Sequence, residues 1–85
     1  MSNNEIGSLV EKYINDNFVL NPEDKPSKDQ SLLETGIIDS TSVLTLVMFL
    51  EEKFNISVQD EELVPDNLDS ITNIASYVNR KLAGS

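Results

Sequence analysis

The chain has 85 residues, 15 acidic against 6 basic for a formal charge of -9, and neither cysteine nor histidine. That length suits one small domain with a modest core, and the charge repels nucleic-acid phosphates and anionic lipid while steering basic protein surfaces toward it. Lack of cysteine removes disulfides and thiolate metal sites; lack of histidine removes the commonest general base and any Ser-His-Asp arrangement. No phosphate-binding glycine loop or spaced metal-ligand set occurs, so neither an enzyme nor a metal site is expected. An apolar run of spanning length and a charged-then-apolar leader are both missing, so the expectation is a cytoplasmic chain without a membrane span.

Residues 1–4 are polar and expected to fray. Over residues 5–19, Ile6, Leu9, Val10, Tyr13, Ile14 and Phe18 recur at helical spacing, with Glu11, Lys12, Asn15 and Asp16 opposite. This predicts an amphipathic helix with its stripe in the core, capped by Asn3 or Asn4. Residues 20–31, LNPEDKPSKDQS, hold two prolines and little periodicity and read as a long loop. Ser31 or Asp29 is expected to start a short helical turn, with Leu32 and Leu33 pinning the loop's end to the core.

Gly36 then permits a sharp turn, and Ile37 and Ile38 return the chain to the core. Val43, Leu46, Val47, Leu50 and Phe54 share one helical face, predicting a second helix over residues 40–54. Asp39 and Ser40 fall at its N-terminus, where unpaired backbone N–H groups favour an acceptor oxygen or an attached phosphate. Thr41, Ser42 and Thr45 lie on or near its exposed side. Met48 is expected to complete the core, whereas Phe49 stays open between core and partner surface. Asn55 is the stop.

Residues 56–58 read as an extended connector burying Ile56 and Val58. Asp60, Glu61, Glu62 and Leu63 predict a short third helix ended by Pro65, followed by a turn with Leu68 as an apolar plug. Asp69 or Ser70 caps the last helix, which buries Ile71, Ile74, Ala75, Val78 and Leu82, has Tyr77 partly covering its edge, and ends near Arg80 and Lys81. Residues 83–85 read as a loose tail. The expected fold is all-α: a small four-helix bundle of three long helices and one short, in a single domain over residues 1–85 with an ordered core over about 5–82.

ETGIIDS, followed by a helix ending LVMFLEEKFNI, resembles the acyl/peptidyl carrier proteins, and the resemblance extends over residues 6–82. It implies a carrier whose Ser40 bears 4'-phosphopantetheine donated by coenzyme A, with Asp39 helping the phosphopantetheinyl transferase recognise the serine. It also implies a loading ligase for an acyl or aminoacyl group held as a thioester, and downstream transferases, served by a monomer. Two departures stand out. Thr41 follows the serine where family members more often have an apolar residue. In addition, residues 41–49 contain no acid, whereas Asp60, Glu61, Glu62 and Asp66 cluster farther along. The expected partner surface is therefore Thr41, Val43, Leu44, Thr45 and Met48, with Asp60, Glu61 and Glu62 supplying charge. That pattern suits a dedicated pathway over central fatty-acid synthesis. The cargo stays open among fatty acyl, polyketide, amino acid and D-alanine, as does its shelter in the bundle. The other reading is an unmodified acidic helical adaptor for a basic partner, with Ser40 only a cap; as a cap, its loss would cost about 1 kcal/mol.

Overall fold

The computed structural model describes residues 2–84, all-helical or irregular with no strand among them. Three long helices, α1 (Asn3–Phe18), α2 (Ser42–Phe54) and α4 (Ile71–Gly84), carry the core, and a single-turn α3 (Pro65–Leu68) lies between the last two. Short 3-10 turns occupy Pro22–Asp24 and Asp60–Glu62. The expected bundle of three long helices and one short one is present.

α4 is the hub, packing on α1, on α3 and on α2. The apolar spacing explains it: Ile6, Val10 and Ile14 of α1, Leu46 and Leu50 of α2, and Ile71, Ile74 and Val78 of α4 are all fully buried in one cluster with Leu32. Non-directional burial of such side chains is the main term favouring the fold. Phe49, left open by the sequence, stacks on Tyr13 with ring centroids 3.9 Å apart, joining α2 to α1; it is half-buried in this packing.

Several helix ends differ from expectation. α1 is capped by Ser2, whose hydroxyl accepts the Glu5 N–H at 3.2 Å, and not by Asn3 or Asn4. Of the two candidates for α4, Ser70 is the cap, accepting the Asn73 N–H at 3.1 Å. Pro65 opens a helix instead of ending one: the expected short helix at residues 60–63 is a 3-10 turn, and Pro65 takes the first position of α3. Its missing N–H costs nothing there and its fixed φ suits a helix start. Asn55 ends α2 in the left-handed conformation at φ 55, as expected of an αL stop. Tyr77 is only 2 % exposed, a core residue rather than an edge cover. Residues 83 and 84 continue α4 instead of forming a tail; Met1 and Ser85, placed by the sequence in a frayed start and that tail, lie outside the described residues.

The loop at residues 20–31 is tied to the start of α4. The Thr72 N–H donates to the Lys28 carbonyl at 3.0 Å and the Leu32 N–H to the Asp69 carbonyl at 2.6 Å. Leu32 is fully buried just beyond it, whereas Leu33, expected beside it in the core, is exposed.

Candidate functional site

α2 starts at Ser42, two residues later than the spacing suggested, and Ser40 lies in the turn before it. Asp39 is the residue that caps the helix: its Oδ1 accepts the Ser42 N–H at 2.8 Å and the Thr41 N–H at 3.0 Å. The Ser42 N–H above all, with that of Thr41, holds the Asp39 carboxyl below the usual carboxylate range, because both stabilise the ionised form. A fixed carboxylate thus occupies the orphan donors of the helix start. Ser40 is left exposed, and its hydroxyl makes no hydrogen bond among the described residues. The alternative reading of Ser40 as a cap is not met: Asp39 does that work.

The turn ahead of Ser40 is closed on itself. Gly36 adopts φ 77, which L side chains rarely adopt, and the Ile38 N–H returns to the Leu32 carbonyl at 3.1 Å. Ser31 caps the turn by accepting the Glu34 N–H at 3.0 Å. This places buried Ile38 under the Asp39-Ser40 pair.

Beside Ser40 lies an open groove of about 210 Å³, lined by Leu33, Ile38, Val43, Leu63, Val64, Pro65 and Leu68. Ser40 contributes its one hydroxyl. Such a lining offers dispersion contact and release of water to an apolar group, with no charge to fix a polar one. The sequence did not single out Leu33, Val64 or Pro65 for this place. The available signal was the Leu63-Val64-Pro65 run, too long in apolar residues for a solvated turn.

The expected partner surface is only partly assembled. Thr41, Leu44, Thr45 and Met48 are exposed along α2, with Leu44 55 % and Met48 64 % exposed. Met48 therefore does not complete the core; it sits one helical turn beyond Leu44 on the outward face. Val43 is half-buried and turned to the groove. Asp60 and Glu61 are exposed, but Glu62 is engaged internally, its Oε1 accepting from the Gln59 N–H at 2.9 Å and from Lys81 Nζ at 3.0 Å. The Gln59 N–H first, then the Lys81 ammonium, hold its carboxyl low. Glu62 ties the 3-10 turn to α4 and is removed from the free acidic face.

Among the described residues, no group of acidic side chains is placed to hold a metal ion, and no helix is long and apolar enough to cross a membrane. The chain is similar to an acyl carrier protein of Renibacterium salmoninarum, 35 % identical over 77 residues that span 91 % of each chain. It is 34 % identical over 80 residues to an acyl carrier protein of Akkermansia muciniphila, covering 94 % of this chain and 96 % of that one. With an acyl carrier protein of Thermosynechococcus vestitus it shares 30 % over 83 residues, covering 98 % and 99 %. The chain belongs to the acyl carrier protein family. Its role is that of a carrier protein, as the resemblance of ETGIIDS and the following helix implied. No protein-family model matches the chain.

Proposed function

We propose that Ser40 is the attachment point of a 4'-phosphopantetheine arm and that the chain carries an acyl or aminoacyl group as a thioester on it. The observation that carries this reading is the exposed Ser40 hydroxyl in the turn just before α2, without a hydrogen bond among the described residues and beside an apolar groove. The residues present suit the group. Attack of Ser40 Oγ on the phosphorus that carries the pantetheine in coenzyme A would form the phosphodiester and break the pyrophosphate bond. 3',5'-ADP would leave, and the hydroxyl proton would pass to solvent or to the transferase. The chain's own part is to hold that hydroxyl free of competing hydrogen bonds while Asp39 engages the neighbouring N–H groups.

Once attached, the arm supplies the thiol that a cysteine-free polypeptide lacks. Tethering raises the cargo's effective concentration at each partner, and the chain catalyses nothing itself. The partners are the transferase, a loading ligase and downstream transferases. The acid-free face over residues 41–49, with exposed Leu44 and Met48, supports service to a dedicated pathway.

Because the sequence has no cysteine, thiol labelling tests this directly. After incubation with coenzyme A, magnesium and a phosphopantetheinyl transferase, and removal of small molecules, the wild-type protein should take up one maleimide. Ser40→Ala should take up none. Equal labelling of both, or of neither, contradicts the proposal; failure of both would favour the acidic adaptor.

A further inference from the structure

Asp69 lies far from Ser40 in sequence and carries no part of the reading above, yet it joins the two walls of the groove beside that serine. Its half-buried carboxylate meets the Ser31 hydroxyl at 2.8 Å from Oδ1 and 2.7 Å from Oδ2, and Oδ1 accepts the Leu33 N–H at 3.0 Å. Its carbonyl accepts the Leu32 N–H at 2.6 Å, and its own N–H donates to the Pro65 carbonyl at 2.9 Å. One residue therefore binds the base of the pre-serine turn through side chain and backbone, while ending α3.

The consequences follow from where these bonds sit. Leu33 and Ile38 line one side of the groove, and Leu63, Val64 and Leu68 line the other. Leu68 immediately precedes Asp69, and Leu32 closes the turn through its bond from the Ile38 N–H. Ile38 is followed by Asp39, which fixes the Thr41 and Ser42 amides. The path from Asp69 to the helix cap is continuous, and Ser40 is suspended between its two anchors. An alanine there would leave Ser31 and the Leu33 N–H without their acceptor. The Leu32 bond, made to backbone, would remain.

Ser70 supplies a contrast one residue away. It caps α4 through the Asn73 N–H, its hydroxyl makes no hydrogen bond to the turn among the described residues, and it does not line the groove. A stability loss alone can therefore be separated from a loss of positioning.

We infer that Asp69 is a positioning residue for Ser40: by clamping residues 31–33 to the junction of α3 and α4, it sets the height and orientation of the serine above the groove. This inference rests on the carrier reading of Ser40 and adds to it a residue that acts without touching the reacting atoms.

The test compares Asp69→Ala, Asp69→Asn, Ser31→Ala and Ser70→Ala in two assays. In phosphopantetheinyl transfer, Asp69→Ala should lower kcat by about tenfold, as expected for a displaced nucleophile. Asn retains one acceptor oxygen, so Asp69→Asn should recover part of the rate, and Ser31→Ala should fall in the same direction by less. Ser70→Ala should keep its rate despite a comparable loss of thermal stability. In amide hydrogen exchange, protection at Ile38, Thr41 and Ser42 should fall in Asp69→Ala and hold in Ser70→Ala. Equal rates for Asp69→Ala and Ser70→Ala would overturn the inference, as would unchanged exchange at those amides. Should Asp69→Ala fail to fold, Asp69→Asn carries the comparison: a rate equal to that of Ser70→Ala, or unchanged exchange at those amides, overturns the inference. If the wild-type chain accepts no arm, the carrier reading fails, whereas the exchange data still decide whether the clamp exists.

Discussion

The α1–α4 side of the molecule and the turn around Ser40 are held by different forces. Where α1 meets α4, fully buried Ile6, Val10, Ile14, Ile71, Ile74 and Val78 interlock, and the association is apolar and non-directional. Around Ser40, by contrast, residues 31–42 are fixed mostly by hydrogen bonds to Asp69, Ser31, Leu32 and Asp39, with Leu32 and Ile38 their buried apolar anchors. The first region sets whether the chain folds. The second sets where one hydroxyl points. The proposed carrier chemistry at Ser40 would need both, the same serine presented each time on a frame that survives repeated docking.

The comparison breaks if substitutions on the two sides have similar consequences. Leu46→Ala and Ile74→Ala, each at a fully buried position, should each cost about 2–5 kcal/mol through lost burial and a residual cavity. Thermal or denaturant unfolding measures this, and near-wild-type stability in both would show that packing is not what holds the frame.

A smaller effect comes from Tyr77 at high pH. Burial foremost, then the charge of nearby Glu62, pushes its phenol up from the ordinary 10.0 to about 12. The Glu62 carboxylate can only accept from the phenol, so its proximity favours the protonated form as burial does. The folded state thus holds the proton more tightly than the unfolded state. Its contribution is fully present below pH 10 and is lost as pH rises toward 12, by at most about 3 kcal/mol for a shift of this size. Tyr77→Phe should flatten that part of the stability profile and cost little at neutral pH. An unchanged alkaline profile in the variant would refute the assignment.

The smallest effects should come from the site side. Ser40→Ala removes no hydrogen bond among the described residues, so its stability should stay within about 0.5 kcal/mol of wild type, less than a cap would contribute. Leu44→Ser and Met48→Ser, at exposed positions of α2, should also fall within about 0.5 kcal/mol while weakening partner engagement. A large stability loss in any of the three would merge the two regions into one. Turnover by the loading enzyme, measured beside unfolding, sharpens the distinction.

How much of this was legible in the sequence follows the same division. The three long helices and most of their buried faces came from i, i+3 and i+4 spacing, since burial selects side chains by periodicity. Gly36 and Asn55 were legible because each occupies a backbone conformation that few other residues adopt without strain. Met48 misled: its apolar character suggested core, but its phase along α2 turns it outward. Pro65 misled for a different reason, since proline ends a helix behind it and begins one at its own position equally well. Which of Asp39 and Ser40 caps α2 was hidden because both side chains can cap, and only the folded chain shows which oxygen faces the amides. Asp69 was hidden more deeply. Two cap candidates stood side by side before α4, and nothing in their spacing showed that one was committed to a turn some forty residues earlier.

The most direct test of the central claim is the intact mass of the folded, unmodified protein after incubation with coenzyme A, magnesium and a broad-specificity phosphopantetheinyl transferase, followed by peptide mapping. One phosphopantetheine on Ser40, with none on Thr41 or Ser42, is the predicted result. An adduct on a neighbouring hydroxyl, or no adduct with several transferases tried, would contradict it.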